Sequence, residues 1–195
     1  VNLGELREEV KARGYDYIAD TRLNRWINQV EAEIAAEHHW PWTDTTTTGT
    51  APLSITDLGV IVSVTDTTND YRLERHSREE LIYEDPDLDD AGNPIWYFRR
   101  GDTIHVHPLN TTATLSVRYH KRPTAITSDA TQLIVPTQWQ DLIVDGVVVK
   151  CLKDNDEYAA AMDAQSFYEA QVERMRNHYL SGDFATETIT VTHFD

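Results

Sequence analysis

His105 and His107 stand two apart in the run TIHVH, a spacing that puts both imidazoles on one face of a strand. Two histidines can begin a metal site, but no third ligand at a suitable spacing is visible. Ile104 and Val106 take the alternate face, so the histidines are expected on the solvated side of that strand. Asp85, Asp87 and Asp89 imitate the opening of a calcium loop. The imitation fails at the sixth position, Asp90 instead of Gly, and at the twelfth, Trp96 instead of Glu. An exposed acidic loop is therefore expected there. His38 and His39 adjoin Trp40–Pro41–Trp42, aromatics that at the end of an amphipathic helix plug a core. The single Cys151 lies in VVVKCLK and reads as a small buried hydrophobe; alone, it excludes an intrachain disulfide and a cysteine metal cluster. No nucleophile elbow, glycine-rich phosphate cradle or zinc-protease helix is present. Carboxylates are plentiful but scattered over polar faces, with nothing to pair or desolvate two of them. Arg99–Arg100 and His120–Lys121–Arg122 read as turn and strand-end residues or as partner-contact charges. The residues assign no catalytic group, no metal and no cofactor.

The 195 residues suffice for one domain, or for one core carrying an insertion. With 33 acids against 17 Lys and Arg, the net charge of −16 repels phosphate backbones and disfavours tight nucleic-acid binding. It suits plain solubility, and it also suits a surface that DNA passes without sticking. No leader pattern and no run of about 18 apolar residues is seen, so the reading is a protein made and folded in the cytosol, away from membrane.

The elements that position these residues follow from periodicity. Leu3, Leu6 and Val10 mark a first helix, with Asn2 and Glu5 as a capping box and Gly14 as its stop. Leu23, Trp26, Ile27, Val30 and Ile34 form the apolar face of a second, with Asp20 as its cap. From Thr43 to Arg122 the chain turns to β character, with strands expected over 43–50, 59–65, 71–75, 95–99, 103–107 and 114–121. A hairpin turns at Arg100–Gly101–Asp102, a short helix spans 77–85, and Glu84–Asn93 reads as a solvated loop. Thr137 and Gln140 suggest a capping box for a helix whose one face carries Trp139, Leu142, Ile143, Gly146, Val147 and Lys150. A final helix is expected over 155–180, with Tyr158, Met162, Val172, Met175 and Tyr179 on one face. The fold class is α+β. A helical bundle from the N- and C-terminal segments (1–42 and 123–182) carries a β-rich insertion (43–122) and ends in an extended C-terminal arm (183–195).

The stretch from Leu3 to Trp42 resembles the start of head-to-tail adaptor (connector) proteins of tailed bacteriophages. The resemblance rests on Leu3 and Gly4 opening the first helix, Leu23, Trp26, Ile27 and Asn28 on the second, and the aromatic exit at Trp40 and Trp42. Further on, Arg122–Pro123 closes the β region, and Pro136 and Trp139 introduce the last two helices. The order of these motifs spans almost the whole chain. The resemblance implies a structural virion protein of the neck, in the host cytoplasm during assembly, and not an enzyme. It implies copies in a ring, typically dodecameric, beneath the portal protein. Such a ring extends the DNA channel and offers a platform to a downstream neck or tail protein; DNA passes through without specific binding. Contacts with the portal are implied for C-terminal segments, and a tail-side position for the insertion.

The segment Thr186–Phe194 fits that implication. Ile189, Val191 and, if neutral, His193 alternate with Thr186, Thr188, Thr190 and Thr192, up to Phe194, as in a strand. A strand with two free edges is unstable alone and adds to another chain's sheet. The reading is an arm that binds portal or neighbour; the alternatives are a tail without fixed structure or one folded back on the insertion. Trp139, Tyr158 and Tyr168 are candidates for the contact with a neighbouring subunit. Two other functions stand beside the adaptor: a tail-completion, baseplate or surface-binding module, and a small hydrolase using His105 or His107 with the Asp85–Asp90 loop.

Overall fold

The computed structural model describes residues 1–183, and side chains as far as Tyr179. The chain is mixed α+β and divides into two compact units: Val1–Trp42 with the chain from Ala125 onward, and Thr43–Thr124.

In the first unit, α1 (Leu3–Val10) begins as its sequence dictates. The Asn2 side chain accepts from the Glu5 amide at 2.9 Å, and the Glu5 carboxylate accepts from the Asn2 amide at 2.8 Å. A wider helical turn over Lys11–Tyr15 ends α1, with Gly14 in the left-handed region at φ +98°. Helix α2 (Asp20–Glu37) buries Leu23, Trp26, Ile27, Val30 and Ile34. Asp20 does not cap it: Ala19 holds the cap position, and the Asp20 carboxylate instead lies 2.8 Å from Lys11 Nζ.

Helix α4 (Asp141–Asp154) follows a short 3-10 turn at Thr137–Trp139. The expected Thr137–Gln140 capping box is absent, because the Gln140 amide turns back to donate to the Val135 carbonyl at 2.8 Å. Nor has α4 a single apolar face. It touches α1, α2 and α5 (Tyr158–Asp183) and buries Leu142, Ile143, Val144, Val147, Val149, Cys151 and Leu152. That explains the β-branched run: a helix covered on nearly every side is apolar all round. Gly146 lets α2 approach; a Cβ there would lie 2.7 Å from Val30 Cγ1. On α5 the buried positions are Ala161, Val172 and Met175, whereas Tyr158 and Met162, expected on the same face, are exposed.

The segment between Thr124 and Pro136 is not a free linker. Its backbone runs along α1 and α2: Leu3 N–H donates to Thr131 O at 3.3 Å, Gly4 N–H to Asp129 O at 3.2 Å, and Asn2 bridges Gln132. Arg7 grips Asp129 with two bonds of 3.0 and 2.9 Å.

The second unit consists of two four-stranded sheets over one core. The first has the order β1 (Asp44–Thr50), β8 (Thr114–Lys121), β3 (Leu58–Asp66), β4 (Tyr71–Arg72). The second runs β2 (Leu53–Ser54), β7 (Thr103–His107), β6 (Trp96–Arg100), β5 (Glu74–Arg75). Only the β5–β6 pairing is parallel among these strands. The expected strand 71–75 thus splits at buried Leu73 and contributes to both sheets. Leu58, Val64, Ile104, Leu115 and Val117 form the centre of the shared core. Helix α3 (Arg78–Glu84) starts with a complete capping box from Ser77 and Glu80.

The Arg7 hydrogen bonds hold the Asp129 carboxyl below its usual range. A depressed carboxyl pKa adds stability above the unfolded value and loses it as pH falls through the folded one. The melting-temperature gap between the wild type and Asp129→Asn should therefore be present at pH 7 and close below about pH 4. A gap that persists unchanged to pH 3 contradicts this role.

Candidate functional site

Leu23, Trp26 and Ile27 are inside the helical core with Leu3, Leu6, Ile143 and Met175. Asn28, next on the helix, acts on the backbone. Its Nδ2 donates to the Asn24 carbonyl at 2.8 Å and to the Ile126 carbonyl at 3.0 Å, while its Oδ1 accepts from the Ile126 amide. One side-chain amide thus pairs both polar groups of a residue 98 positions away, as a neighbouring strand does. Glu31, one turn further along α2, is 1% exposed and accepts from the Ile134 amide at 2.7 Å. Sequence reading missed Glu31, since a charged residue among the polar positions of an amphipathic helix carries no sign of burial.

The aromatic exit plugs the core. Trp40 is 2% exposed, donates its indole N–H to the Ile34 carbonyl at 2.6 Å, and stacks on Trp42 at 5.9 Å. Tyr179 meets Trp40 edge-on at 5.9 Å. Pro136 accepts from the Trp139 amide at 2.8 Å, and half-buried Trp139 packs on the core while its ring meets His178 at 5.6 Å. These motif residues hold structure, and Trp139 in addition lines an open cleft with Asp141, Asp145, Arg174 and His178.

Of the residues weighed above for chemistry, Cys151, His38 and His39 belong to the first unit, and His105, His107 and the Asp85–Asp90 run to the second. Cys151 is buried, and burial pushes its thiol up to about 12, far from reactive. His105 is half-buried and stacked on Phe98 at 5.1 Å; burial, then Arg100 and Arg78, lower its pKa. His107 overturns the reading of a solvated strand face. It is 4% exposed, stacked on Trp96 at 5.9 Å, with Nδ1 3.8 Å from Asp85. The Glu84–Asn93 stretch is solvated over most of its length, as expected, but it is tied down: Asp85 is 8% exposed, and Asp90 and Gly92 bond to Leu109. His105 and His107 therefore do not form a pair. Arg99 ties the sheets together, donating to Leu58, Gly59 and Gly101 carbonyls at 2.9, 2.6 and 2.7 Å. Arg100 instead lines a cleft with Arg78, Asp87 and His105, groups that the sequence scatters over 28 positions (from 78 to 105, inclusive).

The expected arm, Thr186 to Phe194, lies outside the described residues. Among the described residues, no helix is long and apolar enough to cross a membrane.

The distinctive residues of this chain hold its own backbone together, and the match of a family model identifies it as a structural adaptor of bacteriophages. It belongs to the SU10 adaptor protein family, a family of phage head-to-tail adaptors, whose model matches residues 1–188. No curated protein matches the chain.

The Asn28 clamp is testable. Asn28→Ala leaves the Ile126 amide and carbonyl without that partner and should cost about 1–3 kcal/mol in urea unfolding. Trp40→Ala, which empties a filled site, should cost about 3–5 kcal/mol, and Gly146→Ala, which overpacks α2 against α4, about 1–3 kcal/mol. A cost near zero for Asn28→Ala would remove the clamp from the account.

Proposed function

We propose that this protein forms a ring beneath the portal in the phage neck, extends the DNA channel and joins head to tail. The observation that carries the reading is the family match through residues 1–188, with Leu23, Trp26, Ile27, Asn28, Trp40 and Trp139 all spent on the helical unit. That unit is the adaptor core, a helical bundle from the two ends of the chain; the β unit is the insertion, turned to the tail side.

Three features support an oligomer of many copies, a dodecamer by analogy with related rings. Tyr158, Met162 and Phe167 stand 61%, 71% and 57% exposed on α5. A neighbouring copy is their occupant, since repeated copies of one chain give each apolar face a partner at high effective concentration. The cleft in which Arg78 and Arg100 outnumber Asp87 complements the surface of a further copy, given the net charge of −16. The arm at Thr186–Phe194 adds as a strand to the portal or to the next subunit, a weak attachment multiplied around the ring. Carboxylates facing the lumen keep the passing DNA from sticking. The portal, copies of the chain and a downstream neck or tail protein are the partners, and the virion is its place.

The test is electron microscopy of the purified protein mixed with portal rings. The expected image is a closed ring on the portal, its lumen lined by more acids than bases. Deleting residues 184–195 should weaken docking by about 100-fold or more, as the loss of a multivalent attachment does. Binding to tail-tube ends and not to portals would make this a tail-completion protein.

A further inference from the structure

We propose that the outer edge of β1 receives residues 187–193 of a neighbouring copy as an added strand. This rests on the ring reading above and names the acceptor that it leaves open between portal and next subunit. β1 is an end strand of its sheet and pairs with β8 alone, from Asp44 opposite His120 to Thr50 opposite Thr114, with no bulge. In an antiparallel pair alternate residues exchange both backbone bonds, and those between them point both groups away. Ala51 N–H donates to Ala113 O at 3.0 Å, continuing the ladder, while Thr114 O accepts from Thr67 N–H on the other side of β8. Thr45, Thr47 and Gly49 are therefore bonded to β8, and Thr46, Thr48 and Thr50 turn N–H and C=O outward. Those three residues are exposed, and among the described residues nothing bonds their six outward groups.

The chain guards its other sheet edges and leaves this one open. An edge strand invites further pairing, and proteins blunt it by shortness, bulges or charged side chains. The other end strands, β2, β4 and β5, have two residues each. β4 covers β3 only at Thr65 and Asp66, and the uncovered part of β3 carries two register shifts. There Arg99 takes the carbonyls of Leu58 and Gly59, and Arg72 takes that of Val62. β1 has none of these devices. Its seven residues, DTTTTGT, include no Lys, Arg or Pro, and their one charge, Asp44, is paired with Arg118.

Length and alternation choose the occupant. Side chains directly opposite on paired strands share a face of the sheet. On β1 the exposed face is Thr46, Thr48 and Thr50, and the half-buried face is Thr45, Thr47 and Gly49. On that second face Leu53 leans over Gly49, where a Cβ would lie 2.5 Å from Leu53 Cδ1, and Thr47 Oγ1 is 3.2 Å from the Tyr119 hydroxyl. Residues 187–193, ETITVTH, match β1 in length and divide in the same way. Thr188, Thr190 and Thr192 extend the threonine face, where Thr–Thr pairs hydrogen-bond across strands. Ile189 and Val191 then fall on the other face, beside partly buried Leu53 at the rim of the core. Main-chain bonds to Thr46, Thr48 and Thr50 supply the affinity, and this alternation sets the register.

The test mixes the dilute full-length chain with a synthetic peptide of residues 184–195 and follows amide hydrogen exchange by NMR. In the chain alone the Thr46, Thr48 and Thr50 amides should exchange freely while those of Thr45, Thr47 and Gly49 are protected. Excess peptide should slow the first three by about tenfold or more. Thr48→Pro removes an N–H that the β1–β8 ladder does not use, so the fold should survive. Peptide affinity should nonetheless fall by about tenfold or more, whereas Thr48→Val, which keeps the N–H, should bind as the wild type does. The proposal is overturned if the peptide slows none of the three amides in the wild type, or if they are already slow in the dilute chain alone. Neither result depends on how Thr48→Pro folds; a folded Thr48→Pro that binds the peptide normally overturns it as well. A ring on portals without peptide protection would strike the β1 acceptor and leave the ring reading standing. Protection without a ring would do the reverse.

Discussion

The helical unit depends on one constraint: two stretches of chain separated by an 82-residue β unit must meet again in register. Hydrophobic burial brings them together, but it is non-directional and does not choose a register. Hydrogen bonds from α2 do. Asn28 takes both polar groups of Ile126, and Glu31 takes the amide of Ile134. Between them Asp129 and Thr131 receive the first amides of α1, which no helix can satisfy internally. Backbone groups of Ile126, Asp129, Thr131, Ile134 and Val135 are thus paired while Ile126, Leu133 and Val135 fill the core.

Much of this was legible in the sequence, for reasons that can be stated residue by residue. Helix α2 announces itself because its apolar spacing follows one face for more than three turns. The strands of the β unit show through β-branched alternation, and the hairpin through Gly101. Illegible were the features that depend on tertiary partners. Asn28 was visible as part of a motif, but its partner 98 positions on was not. His107 looked solvated because strand alternation assigns a face without saying what covers it. Here the second sheet's outer side is covered at that point by Trp96 and the Asp85 turn. Tyr158 and Met162 were grouped with Val172 and Met175 but lie to one side of the stripe of Ala161, Val172 and Met175 that α5 buries.

The same distinction bears on function. The motifs shared with adaptor proteins describe how the chain is held, so they report membership in a family and not the residues that meet a partner. Surfaces that meet partners are better sought where the structure leaves apolar or basic groups uncovered in an acidic protein. Those are the exposed apolar side chains of α5 and the cleft of Arg78 and Arg100.

Amide hydrogen exchange at Ile126 and Ile134 probes the register constraint most directly. If Asn28 and Glu31 pin the returning chain, both amides exchange only on global unfolding, at the free energy of the buried amides in the middle of α4. Exchange at the rate of an exposed loop, with α4 still protected, would show that the helical unit holds together without these clamps.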